Sequence, residues 1–145
     1  MAKKMMSSNK VLSGTHGKLW VGSDKMSNVK SFEAKISGDF EELAVSEKMS
    51  KQYKYMGSNI EGTITLHKID SYVASLVAEG FRTGNFPDIT ITAAIEDPAA
   101  YGYERIELTG VHFTELTLLK FETGTVGEEE VPFKAEEFRF ADKIV

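Results

Sequence analysis

The sequence predicts a mainly β protein: an antiparallel β-sandwich or barrel with one α-helix packed on it. Three observations carry this. Apolar and polar residues alternate with period two in separate stretches at 32–40, 60–66 and 89–95, which is the strand period. Only one segment, 69–80, changes to the helical period. Turn residues such as Asp97 and Pro98 separate the stretches.

The elements follow in order. Residues 1–14 are polar and read as a flexible arm that a partner could order; residues 15–145 read as one β domain. A short strand is expected at 18–21, then a polar turn at 22–28. In the next strand Phe32, Ala34, Ile36, Gly38 and Phe40 face one way, and Glu33, Lys35, Ser37, Asp39 and Glu41 the other. Residues 44–58 are polar around Tyr53, Tyr55 and Met56 and read as a long loop or extended hairpin. A further strand sets Ile60, Gly62, Ile64 and Leu66 against Glu61, Thr63, Thr65 and His67. Ile69, Val73, Leu76, Val77 and Gly80 form the helical stripe. Asp70 or Ser71 can cap it and Gly80 or Gly84 can end it. Strands are then expected at 89–95, 104–110 and 112–122, with a last one at the C-terminus, giving the order β-β-β-α-β-β-β-β.

Composition bounds the function. A chain of 145 residues fits one domain that buries about 70% of its unfolded surface. No cysteine is present, which removes disulfides, thiol catalysis and Cys-based metal sites and fits assembly in a reducing cytoplasm. The net charge of −5 disfavours tight nucleic-acid binding by the whole surface, which needs clustered Lys and Arg. The N-terminus has lysines but no apolar run, unlike a signal peptide, and no window approaches a membrane span. His16, His67 and His112 each lack a second ligand at metal spacing. No G-x-S-x-G, Walker loop or H-E-x-x-H occurs. Asp39, Glu41 and Glu42 read as a solvated strand face rather than an acid–base pair. Trp20, Phe32, Phe40, Phe133, Phe138 and Phe140 alternate with aliphatic residues, so core or subunit interface is favoured over base stacking. Tyr53, Tyr55 and Met56 are apolar in a polar stretch, the mark of an interaction site.

The C-terminal stretch holds the most specific pattern. From Leu118 an apolar-rich strand is expected to enter a turn with Gly124 and Gly127. A second strand follows, with Val131 and Phe133 before Phe138 and Phe140. Pro132 has no N–H for a ladder, so this strand is expected at a sheet edge or a bulge. The acids at 128–130 would blunt that edge. Val131, Pro132 and Phe133 are therefore candidate contacts between subunits, with Tyr53, Tyr55 and Met56.

The pattern Phe-Glu-x-Gly-x-Val-x-Glu-Glu-x-Val-Pro-Phe at 121–133 resembles the C-terminus of tail tube proteins of contractile-tailed phages, prophage-like elements and R-type bacteriocins of Gram-positive bacteria. Leu12-Ser-Gly-Thr-His-Gly-Lys-Leu-Trp-Val21 is similar to the family's opening. The resemblance covers nearly the whole chain. It implies a structural protein without cofactor or enzymatic activity, in the tail of a virion or bacteriocin. It implies hexameric rings stacked into a hollow tube inside a sheath, with tail-tip or baseplate proteins as further partners. In a phage, DNA would pass through transiently; the subunit itself would bind no membrane. On this reading Glu33, Lys35, Ser37, Asp39, Glu41, Glu61, Thr63, Thr65 and His67 are expected to face the lumen. A small ligand-binding β-barrel, a small enzyme and a type VI secretion tube subunit are the alternatives.

Overall fold

The computed structural model describes residues 7–44, 46–47 and 49–144. The strands are β1 (Gly17–Val21), β2 (Asp24–Lys25), β3 (Val29–Leu43), β4 (Gln52–His67), β5 (Ile89–Ile95), β6 (Glu104–Phe113), β7 (Glu128–Ala135) and β8 (Glu137–Asp142). One helix, α1 (Tyr72–Thr83), follows β4. The strands form a single antiparallel sheet in the order β2-β1-β5-β6-β7-β4-β3, with β8 also on β6. The sheet curls over one apolar core but does not close. Leu19, Val21, Ile91 and Leu108 meet Ile60, Ile64, Val131 and Phe133 in that core.

Period two holds where a strand has a core to bury against. In β4 the residues Ile60, Ile64 and Leu66 are buried while Glu61, Thr63 and Thr65 are only partly covered. Gly62 continues the inner row because the Phe133 ring occupies the space of a side chain. In β3 the burial stops early. Phe32 and Ala34 are half-buried, but from Ile36 to Leu43 both faces are exposed. There β3 and the start of β4 leave the body as a two-stranded ribbon, paired from Ile36↔Ile60 to Leu43↔Gln52. At about 3.3 Å per residue it reaches roughly 25 Å. The stretch at 44–58 is thus an extended hairpin rather than a long loop: its second half is β4, and the turn lies within 44–51.

Helix α1 buries Val73, Val77 and Gly80, with Val73 beside Met26 and Leu66. Asp70 Oδ1 accepts the Tyr72 N–H, and Ser71 at the N-cap makes no side-chain cap. Gly84 ends the helix in the left-handed region at φ 83°, where a Cβ is costly. Ile69, expected on the helical stripe, precedes the helix and is exposed. Gly80 does not end the helix; the Phe86 ring packs where its side chain would be.

The second half departs from expectation in two places. The strands expected at 104–110 and 112–122 are one strand, β6, with a kink at Gly110 (φ 64°). From 114 to 127 no strand forms. The C-terminal strand is long and bent: β7 pairs with β4 over Ile60↔Ala135 to His67↔Glu128, then β8 continues along β6 from Thr109↔Glu137. So β7 is not an edge strand. Thr114 N donates to the Pro132 carbonyl, and in an antiparallel strand the nitrogen of a residue points to the same side as its carbonyl. The missing N–H of Pro132 therefore faces β6 where that ladder ends, at Phe113↔Phe133. The acids blunt no edge either: Glu128 binds Lys30, and buried Glu129 binds Lys68 at 2.9 Å.

Candidate assembly surfaces

The register of β3, β4 and β7 brings the expected polar residues together. Glu33 stands opposite Thr63, Lys35 opposite Glu61 and Ser31 opposite Thr65. On the other side of β4, Thr65, Thr63 and Glu61 face Glu130, Pro132 and Lys134. Three rows result: Ser31-Thr65-Glu130, Glu33-Thr63-Pro132 and Lys35-Glu61-Lys134. Directly opposed side chains in such rows interact, and the last sets Glu61 between two lysines. His67 continues the face beside Glu128. Ser37, Asp39 and Glu41 carry it onto the ribbon, opposite Asn59, Gly57 and Lys54.

The sequence signal for β7's part in this face was present. Glu130, Pro132 and Lys134 alternate with Val131 and Phe133, and neighbours in a strand point to opposite faces. Val131 and Phe133, expected at a subunit contact, are each 1% exposed and lie in the core. The Phe133 ring stacks on Phe32 with centroids 5.9 Å apart. They correct the expected interface: only Pro132 of the three reaches a surface, and it is the polar one.

The ribbon carries a cluster of exposed apolar residues. Phe40 and Tyr55 are cross-strand partners with ring centroids 5.4 Å apart. A register shift between Asp39↔Gly57 and Phe40↔Tyr55 leaves Met56 as the extra residue of a bulge. Tyr53, Tyr55, Met56, Ile36, Phe40 and Leu43 are all exposed. A two-stranded ribbon standing alone is only marginally stable in water, and this one is held to the body only through the continuation of β3 and β4 into the sheet.

Other charged groups hold the fold together. Glu96 accepts Lys18 Nζ and Arg105, each at 2.7 Å. Those hydrogen bonds, Lys18 first, hold its carboxyl below the ordinary 4.5. Arg105 also lies over Trp20, 5.5 Å from the ring centroid. Asp97, buried, accepts the Ser13 and Ala99 amides at 3.1 and 2.9 Å, so the expected arm is tied down at its base. Residues 8–10 of that arm form a 3-10 turn and Lys10 lies over Tyr101; residues 1–6 lie outside the described residues. Among the described residues no group of three His, Asp or Glu could hold a metal, and no helix is long and apolar enough to cross a membrane. His16 and His112 each meet one carboxylate, Asp97 and Glu136.

A curled, unclosed antiparallel sheet with one helix, an outward polar face and a projecting ribbon describes a structural β subunit with free edges. Comparison with known proteins gives that class its family. Residues 4–142 match the family described as phage tail tube protein, and the chain belongs to it. It is 29% identical over 135 residues to the phage-like element PBSX protein XkdM of Bacillus subtilis (strain 168), covering 92% of each chain. Its fold matches a chain of the sheath–tube complex of an extracellular contractile injection system (PVC) in the extended state. There the TM-score is 0.74 at 14% identity, covering 97% of this chain and 100% of that one. A chain of the anti-feeding prophage tube-terminating cap gives 0.75 at 8% identity, with 97% of each covered. A chain of the sixfold-symmetrised anti-feeding prophage baseplate gives 0.62 at 7%, again with 97% of each. The family and the fold are those of structural tail tube proteins, which form part of phage or injection-system particles.

Proposed function

We propose that this subunit assembles in sixfold rings that stack into the inner tube of a contractile tail, a passive conduit that performs no chemistry. The observation that carries this is the polar face shared by β3, β4 and β7, which lies outside the subunit's own core and ends at the unpaired edge of β3. Six copies pairing edge to edge would turn these faces into one wall and leave no free strand edge. Glu33, Lys35, Ser37, Asp39, Glu41, Glu61, Thr63, Thr65 and His67 then line the lumen, with Pro132 among them. The ribbon, through Tyr53, Tyr55 and Met56, bridges to a neighbouring copy. A sheath surrounds the tube and baseplate proteins start it; the sheath–tube and baseplate assemblies that contain its structural neighbours support this. The conduit is built in the host cytoplasm, and in a genome-carrying particle DNA passes through it.

Negative-stain microscopy at rising concentration tests the reading, with and without co-expressed sheath and baseplate proteins. Rings or rods with a central channel are expected. A subunit that stays monomeric under all these conditions contradicts it.

A further inference from the structure

The ribbon has two faces, and a single residue of β4 determines what lies on each. In β3 the alternation runs unbroken. Ile36, Gly38 and Phe40 continue the row of Phe32 and Ala34, while Ser37, Asp39 and Glu41 continue the polar row. β4 enters the ribbon with one residue too many. If Met56 paired with Phe40, Tyr55 would fall opposite Glu41 on the polar side, and a slip of one residue would carry Tyr53 there too. The register skips Met56 instead: Asp39↔Gly57 is followed by Phe40↔Tyr55, Glu41↔Lys54 and Glu42↔Tyr53. Both tyrosines thereby stay on the side of Phe40.

The glycines beside the skipped residue fit this arrangement. Gly57 has φ 144°, a backbone that side chains rarely adopt. A Cβ on Gly38 would stand 2.7 Å from the Phe40 ring and 3.3 Å from the Tyr55 ring, so Gly38 leaves both rings room on the apolar side. Yet Ile36, Phe40, Tyr53 and Tyr55 are 49%, 61%, 62% and 56% exposed. The apolar row therefore outruns the core of its own subunit. Bulges re-aim side chains in this way, and an exposed apolar row marks a contact.

Resting on the tube reading, we propose that the bulge holds Ile36, Phe40, Tyr53 and Tyr55 on one face, that this face is the ribbon's contact with a second copy of the chain, and that Met56 is a spacer in it. The occupant follows from the opposite face. Asp39, Glu41 and Lys54 continue the polar rows of β3 and β4, which in the tube belong to a wall built by all copies. The side behind them is then turned toward the copies that build that wall. There the row that starts in the subunit's own core at Phe32 and Ala34 runs on into a neighbour.

Two variants remove the bulge with opposite results. Deleting Met56 leaves Tyr55 opposite Phe40 on the apolar face, and rods should form as they do from the unsubstituted protein. Inserting one serine after Asp39 pairs that serine with Met56 and turns Phe40, Tyr55 and Tyr53 to the polar face. Rods should then be lost, while the free subunit melts within a few degrees of the parent, since no core residue changes. Adding Phe40→Glu, Glu41→Phe, Lys54→Tyr and Tyr55→Lys to the insertion returns an aromatic pair to the apolar side and should restore rods. Rods from the plain insertion variant overturn the proposal. If those rods no longer take up sheath, the face meets sheath rather than a second copy. Failure of the exchange to restore rods overturns it as well. So does loss of rods on deleting Met56, which would make Met56 itself a contact. If unsubstituted protein forms no rods, the tube reading falls, and this proposal with it.

Discussion

Gly62 sits where no side chain fits, because a Cβ there would run into the Glu33 carbonyl oxygen across the strand pair and crowd the Phe133 ring. A backbone neighbour cannot swing aside, so Gly62→Ala should destabilise the subunit by about 1–3 kcal/mol in urea unfolding. Phe133→Ala removes a ring that is fully buried and should cost about 3–5 kcal/mol. Ordinary stability in the second variant would return Phe133 to the interface the sequence suggested. The mistake at Val131 and Phe133 has a physical cause. The sequence shows that they alternate with polar residues but not which side of the strand the subunit itself covers. Glu96 makes the pH prediction. Its folded carboxyl is held low by Lys18 and Arg105, so the stability it adds is present above the unfolded value and is lost as pH falls through the folded one. Melting temperature followed downward from about pH 6 should drop less steeply in Glu96→Gln than in the parent; equal slopes would mean that the two cations do not stabilise the carboxylate.

At the scale of elements, the ribbon of β3 and β4 is the part with least support of its own. Replacing residues 40–56 with Asn-Gly would keep the Asp39↔Gly57 pair and supply a two-residue hairpin turn. The body should melt within a few degrees of the parent, since no core residue is removed, while rods should not form. Rods of normal length from this variant would show that the ribbon is no bridge. In hydrogen exchange, amides near Tyr53 and Tyr55 should exchange quickly in the free subunit and slowly in the tube. Much of this level was legible. Alternation located β3, β4 and β5, and the stripe of Val73 and Val77 located α1. The ribbon was legible only as one of two options, a long loop or an extended hairpin, and the 114–127 segment was not, for one shared reason. Period two and strand-prone residues record that a surface will be covered, but not whether the cover comes from the same chain. Phe40 and Tyr55 alternate like core residues and stand in solvent. Leu119 and Phe121 read as a strand and have no strand to pair with in the subunit.

At the scale of the whole molecule, the polar face decides what the assembly can do. In the proposed tube, Glu33, Asp39, Glu41 and Glu61 would become rings of carboxylate in each layer, partly offset by Lys35 and Lys134. DNA carries one negative charge per about 1.7 Å of axis, and a basic wall would hold it; an acidic-to-neutral wall lets it slide. Across a water-filled channel, repulsion beyond about 8–10 Å is screened, so such rings would tolerate their charge. Replacing Glu33, Asp39 and Glu41 together by lysine should leave rod formation nearly intact and, in a genome-carrying particle, slow DNA ejection, more at low salt. The most direct measurement is a cryo-electron microscopy map of tubes assembled from the purified subunit. The account predicts a sixfold hollow tube in which β3, β4 and β7 form the inner wall, with Glu33, Glu61 and Thr63 pointing into the channel. A tube whose channel is lined instead by the outer face of β1, β5 and β6, with Glu33 and Glu61 buried between copies, would contradict it.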